Sequence, residues 1–204
     1  MIYRHNILDK NSISEKGFTL VELMVVIAIT AIIAGFTMAE INSTSHKLRS
    51  TAQTLRAKMQ QAKLLAVKDG CNVFVDFDLD DGGAIDSFYM IWGESDEPPN
   101  KAYDGATELI EQVLLPNDIS FGAVAKTDGG PTKSASNTGS TAPTSDGISF
   151  SGDSLRFSPQ GTGSQGWAYL HAPNNDSAGT HAVGSNNAGR IQSRYWATNG
   201  SDWR

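Results

Sequence analysis

From Phe18 to Ala39 the chain runs for twenty-two apolar or small residues, interrupted only by Glu22, by threonines and by Gly35. At 1.5 Å per residue a helix of that length spans about 33 Å, enough to cross a hydrocarbon core of about 30 Å. The run therefore predicts one membrane-spanning helix. Glu22 is its anomaly. An ionised side chain costs about 2.5 to 3.5 kcal/mol at the centre of such a helix and less towards its end. A carboxylate there calls for a cationic partner.

Immediately before the run the chain reads Lys16-Gly17-Phe18-Thr19-Leu20-Val21-Glu22. Gly-Phe-Thr-Leu-Val-Glu followed by an apolar helix resembles the class III signal of type IV pilins and type II secretion pseudopilins. The resemblance implies a leader at residues 1–17, removed by a prepilin peptidase that cuts after Gly17, and methylation of the new amino terminus at Phe18. It also implies that Glu22, fifth in the mature chain, meets the terminal amine of a neighbouring subunit and sets the stagger of a filament. The elementary chemistry agrees, because a fresh terminus of a sister chain is a cation able to answer a carboxylate in lipid. Two other readings compete. One is a secretory signal cleaved after Thr37-Met38-Ala39, but such signals carry an apolar region of about 7 to 15 residues and no internal glutamate. The other is a plain signal anchor, which leaves Glu22 and the Gly17-Phe18 junction without a role.

Charge is arranged in blocks. Residues 18–68 hold six Lys/Arg and two Asp/Glu, while residues 69–120 hold one and thirteen, so the net charge of −6 conceals a basic helix and an acidic middle. No uniform basic field exists to attract nucleic acid. Cys71 is the single cysteine, which excludes an internal disulfide and reads as a small hydrophobe. Basic residues flank the apolar run on both sides, so the positive-inside rule does not orient it. The resemblance does, with the leader inside and the domain in the periplasm of a bacterial inner membrane, as a single-pass protein.

Beyond Ala39, Ile41, Leu48, Ala52, Leu55, Met59, Ala62 and Leu65 recur as one stripe of an amphipathic helix over residues 40–69, and Gly70 stands where a terminating glycine belongs. One nearly continuous helix from about 18 to 69 is expected. Its position Ala39 lacks the proline that many pilins carry about there, so no kink is predicted by that route. Residues 70–204 read as a β-rich domain. Strands are expected over 72–78, 87–92, 108–115, 118–124, 148–150, 155–157, 167–171, 181–183 and 191–196, with a hairpin turn at 79–83. The segment 127–147 is almost wholly Gly, Ser, Thr, Asn, Pro and Ala, which predicts a flexible insert without a core. Phe157-Ser-Pro-Gln-Gly161, Trp167 to Leu170 and Gly189-Arg190-Ile191 resemble the carboxy-terminal half of the H-type pseudopilin and FimT-like minor pilin group. The expected class is α+β, a pilin-like fold in which a long amino-terminal helix packs on an antiparallel sheet.

Three constellations could carry chemistry. Asp76, Asp78, Asp80 and Asp81 precede Gly82, but Asp81 and Ser87 occupy the positions where an EF-hand loop needs Gly and Glu, so only a loose calcium cage is a candidate. Gly161, Gly163 and Gly166 spell GxGxxG ahead of a strand, which removes the helix terminus that would hold a phosphate. Arg190, Arg194 and Trp196 form the third set. Some FimT-like minor pilins bind DNA through Gly-Arg-x-Arg; here Gly189 and Arg190 match, Gln192 replaces the second arginine, and Arg194 lies two residues on. Strand residues two apart share a face, so Arg190, Gln192 and Arg194 are expected in one row. The competing reading is an edge strand with solvated arginines and core aromatics. The four histidines lack metal spacing, and no nucleophile elbow or triad is present, so nothing points to an enzyme. The sequence is read as a minor pilin or pseudopilin of a type II secretion pseudopilus or type IV pilus, with a DNA-uptake receptor and a major filament subunit as alternatives. The partners implied are the prepilin peptidase, other pilin or pseudopilin subunits, an inner-membrane assembly platform, and secreted cargo or DNA.

Overall fold

The computed structural model describes residues 19–39, 43–77, 88–94, 103, 105, 107–136, 143 and 146–204, with the side chains of 32–39 and 43 outside the description. The leader, Gly17, Phe18, the turn at 79–83 and the acidic residues Asp78, Asp80 and Asp81 therefore lie outside the described residues. So do residues 40–42, on which the expected continuity of a single helix falls. The chain divides between Ile41 and Asn42 into two units.

The first unit contributes helix α1, Leu20–Ala39. The Thr19 hydroxyl accepts a hydrogen bond from the Glu22 N–H at 3.2 Å, and the Thr19 carbonyl accepts from the Leu23 N–H at 3.2 Å. Thr19 is thus the N-cap, and Glu22 sits at the third helical position, where its charge favours the positive end of the helix dipole. Thr30 donates to the carbonyls of Val26 and Ile27 at 2.9 and 3.0 Å, so its hydroxyl is satisfied within the helix. Among the described residues no helix is long and apolar enough to cross a membrane. In α1 the described side chains stop at Ala31, while its backbone continues to Ala39 for twenty helical residues.

The second unit is built on α2, Ser43–Asp69. Its stripe of Leu48, Ala52, Leu55, Met59, Ala62 and Ala66 is fully buried, with Leu65 half-buried beside it. Gly70 closes the helix at φ +69°, its N–H donating to Ala66 O at 3.1 Å; an L side chain there would be strained. Among the described residues eight strands follow: β1 Val73–Asp76, β2 Phe88–Gly93, β3 Leu109–Leu114, β4 Ser120–Phe121, β5 Ser154–Phe157, β6 Gly166–His171, β7 Thr180–Ser185 and β8 Ile191–Trp196. They form two antiparallel sheets ordered β3-β2-β1-β5 and β4-β6-β7-β8. The expected α+β class, a helix packed on antiparallel strands, is the observed one. Ile148 makes only an isolated bridge to Ala168 where a strand was expected.

Alternation within the strands sends Val73, Val75, Leu155, Phe157, Ala168, Leu170 and Val183 into one core with the α2 stripe. Phe74 and Trp92 point away from it and stack on each other at 4.1 Å. Ion pairs fasten α2 at two points on the acidic side, Lys58 to Glu111 at 2.6 Å and Lys47 to Asp118 at 2.7 Å.

The opposite face of the second sheet carries a smaller cluster of Trp167, Tyr169, Ala182, Trp196 and Trp203, joined by Ala135 from the insert. Residues 127–147 were expected to form a flexible insert without a core, yet their first part covers this cluster. Gly129 and Lys133 carbonyls accept from the indole N–H groups of Trp196 and Trp203 at 3.3 and 2.8 Å, and Ala135 N–H donates to the Tyr169 hydroxyl at 3.1 Å. A segment with few large side chains cannot build a core of its own, but its small residues let its backbone lie close over aromatics supplied by the sheet. Leu55→Ala should lower unfolding free energy by about 2 to 5 kcal/mol, against less than about 0.5 for Leu64→Ala, measured by denaturant titration of the full chain in detergent. Leu55 is 0% exposed and Leu64 70%, which is what sets the contrast.

Candidate functional site

The tail residues singled out by sequence are held by the turn between β7 and β8. Asn186 O accepts from Gly189 N–H at 2.7 Å, and Asn186 Oδ1 accepts from Arg190 N–H at 2.9 Å. Gly189 takes φ +67°, and its carbonyl accepts from Lys63 Nζ at 2.9 Å, which ties the turn to α2. A side chain at Gly189 would collide with the Gly161 carbonyl, so the glycine before Arg190 has a packing reason as well as a conformational one.

Arg190, Gln192 and Arg194 do share one face. They line a groove of about 270 Å³ together with Trp167, Asn186 and Ser136. The Arg194 guanidinium lies over the Trp167 ring at 5.6 Å from its centroid, a cation–π contact that sequence spacing did not reveal because β6 is two strands away. Trp196 falls on the same face but is 1% exposed beneath Trp203, at 5.5 Å between ring centroids. It is therefore a core residue, and its expected role as a stacking contact beside the arginines is corrected. Trp167 supplies the indole over which Arg194 lies.

A second groove of about 540 Å³ runs along β8 itself, lined by Arg56, Arg190 through Arg194, Trp203 and Arg204. Arg49, Arg56 and Lys63 are spaced by sevens, two helical turns each, and that period was the available signal for a cationic row on one side of the helix. A third cavity, about 470 Å³, lies between the first turns of α2 and β8 and is lined by His46, Arg49, His181, Tyr195 and Arg204. Burial, with Arg49 adding to it, pushes His181 down to about 4, and its ring packs on Tyr195 at 4.7 Å. Cys71 is half-buried, and burial followed by the Asp69 charge raises its thiol pKa, which keeps it protonated and unreactive.

Of the calcium candidates only Asp76 is described, at the end of β1; Asp78 and Asp80 lie outside the described residues. Gly161 turns the chain at φ +76° and Gly166 opens β6, so the GxGxxG segment is a turn between strands.

The prokaryotic N-terminal methylation motif matches residues 13–38, the junction and most of α1. No curated protein matches the chain. Among solved structures, the minor pseudopilin EpsH from the type 2 secretion system of Vibrio cholerae is 11% identical, with a TM-score of 0.45 over 74% of this chain and 97% of that one. The type IV minor pilin FimU of Pseudomonas aeruginosa is 14% identical, with a TM-score of 0.45 over 78% of this chain and 93% of that one. The chain thus carries that methylation motif ahead of an α+β domain.

The His181 shift has a definite sign. A histidine whose folded pKa lies below its unfolded value of about 6.5 binds fewer protons when folded, so its contribution is intact above 6.5 and is lost as pH falls towards 4. His171, lowered by burial despite the opposing Asp176 charge, adds in the same direction. Melting temperature should fall between pH 6.5 and 4 in the parent protein, and His181→Gln should flatten part of that fall.

Proposed function

We propose that the chain is a membrane-inserted prepilin that matures into a minor pilin or pseudopilin. The carrying observation is the methylation motif at residues 13–38, which takes in most of a helix that starts at a Thr19 cap with Glu22 in its first turn. In this reading a prepilin peptidase cuts after Gly17 and Phe18 becomes the methylated terminus. Phe18 to Ala39 then anchors the bacterial inner membrane as a single span, with the β domain in the periplasm.

A positive amine placed just ahead of α1 sits at the positive end of a helix dipole, which is unfavourable for it in isolation. A carboxylate from a second subunit relieves that opposition, and Glu22 of the incoming chain is the charge available in lipid. The assembly platform would then draw subunits out one register step at a time, into a pseudopilus that acts on secreted cargo or into a pilus. A DNA-uptake receptor is the second reading, favoured by a groove that brings Arg190, Gln192 and Arg194 together; the burial of Trp196 removes one stacking surface from it.

Mass spectrometry of the protein from its native membrane should find a mature terminus at methylated Phe18, abolished by Gly17→Val. A terminus at Glu40, or an intact Met1, overturns the proposal. Glu22→Ala should still be cleaved but should stay in the membrane fraction and fail to enter sheared filaments.

A further inference from the structure

The outer edge of β8 is an open strand edge lined by cations. β8 ends the order β4-β6-β7-β8, with β7 on one side and no strand of the described residues on the other. Its register to β7 pairs Thr180 with Trp196, His181 with Tyr195 and Gly184 with Gln192. Tyr195 N–H donates to Arg204 O, and Arg204 N–H donates to Tyr195 O, both at 2.9 Å, so the backbone groups of Tyr195 point outward. Antiparallel alternation then turns those of Ser193 and Ile191 outward as well. None of the hydrogen bonds among the described residues ends on the outward groups of Ser193 or Ile191.

That edge already takes antiparallel pairing, because Arg204 forms one such pair at Tyr195. The groove of about 540 Å³ continues from Arg204 along residues 191–194, where the next residues of an added strand would lie. Side chains of that strand would alternate between two cationic rows. On the helix side stands Arg56, with Arg49 lining the adjoining cavity; on the other side stand Arg190 and Arg194. No acidic residue lines the groove among the described residues. Both rows favour carboxylates, while the outward carbonyls of Ser193 and Ile191 disfavour phosphate, which offers no N–H to meet them.

We propose that the β8 edge docks an extended acidic segment of another protein by strand addition, with backbone bonds to Ile191 and Ser193 and carboxylates against Arg56, Arg190 and Arg194. Backbone pairing supplies register, and the flanking arginines select an acidic strand. Such a strand also closes an edge that would otherwise be open to unspecific pairing.

The test uses the full chain in detergent and a fluorescein-labelled synthetic peptide of glutamate, threonine and valine, with a glutamine-for-glutamate peptide as control. Anisotropy should report saturable binding of the acidic peptide alone. Hydrogen exchange of residues 191–194 should slow on its addition. Ser193→Pro removes the outward N–H without touching the pairing to β7, and should weaken binding about tenfold. Arg190→Ala combined with Arg194→Ala should weaken it at least as far. Melting curves of each variant check folding, and the exchange measurement on the parent chain stands independently of them. Absence of peptide binding, exchange unchanged at 191–194, or equal binding by folded Ser193→Pro overturns the proposal. So does salt-dependent binding of single-stranded DNA that the acidic peptide fails to displace and that Ser193→Pro leaves unchanged.

Discussion

Burial of one stripe of α2 against both sheets is the contact on which the β domain depends. Two four-stranded sheets of short strands cannot each supply a second layer, and a sheet face needs one to be stable. Leu48, Leu55 and Met59 give that layer to both at once, because residues of the first sheet such as Val75 and Leu155 and of the second such as Leu170 and Val183 enter one cluster with them. The helix also determines where the tail goes. Lys63 holds the Gly189 carbonyl, and the next residue is Arg190. The geometry of the β8 groove thus follows from the helix, although most of its lining comes from the strand.

The second sheet solves its other face differently. Trp167, Tyr169, Trp196 and Trp203 form a layer too small to be covered by a helix, and backbone from the insert closes it. Indole and phenol groups need hydrogen-bond partners when buried, and a chain segment rich in Gly, Ser and Ala brings carbonyl and amide groups within reach at little steric cost. Lys133 adds an ion pair to Asp202 at 3.0 Å, which holds the insert to the tail that carries Trp203.

Periodicity made much of this legible. The stripe of α2, its glycine stop and the eight strand positions were all readable because helix and strand patterns place apolar residues on one face. Leu65 was read into the stripe and Ala66 was not, a drift of one residue that follows from 3.6 residues per turn. What sequence could not supply was lateral neighbourhood. Trp196 shares its strand face with Arg194, yet one is covered by Trp203 and the other rests on Trp167, because the insert and tail cover only part of that face. Composition misjudged the insert for a related reason, since it measures what a segment can bury of its own and not what it can cover. The capping role of Thr19 is the local geometry that places Glu22 one turn into α1.

Charge distribution explains how a chain of net charge −6 keeps a cationic edge. The cations of α2 separate by angle around the helix. Lys47 and Lys58 turn to the first sheet and are neutralised by Asp118 and Glu111, which belong to the acidic middle of the sequence. Arg49 and Arg56 turn to β8, where no carboxylate of a described residue pairs with them. Pairing with acids on one side thus spares the other, and Arg190 and Arg204 extend the cationic row along the strand with Arg194, whose charge Asp202 also feels. Like charges brought this close repel one another in the free protein. Their repulsion is relieved only by a partner or by salt, so an edge of this composition favours association with anionic surfaces at low ionic strength and loses that preference as the screening length shortens to about 10 Å or less.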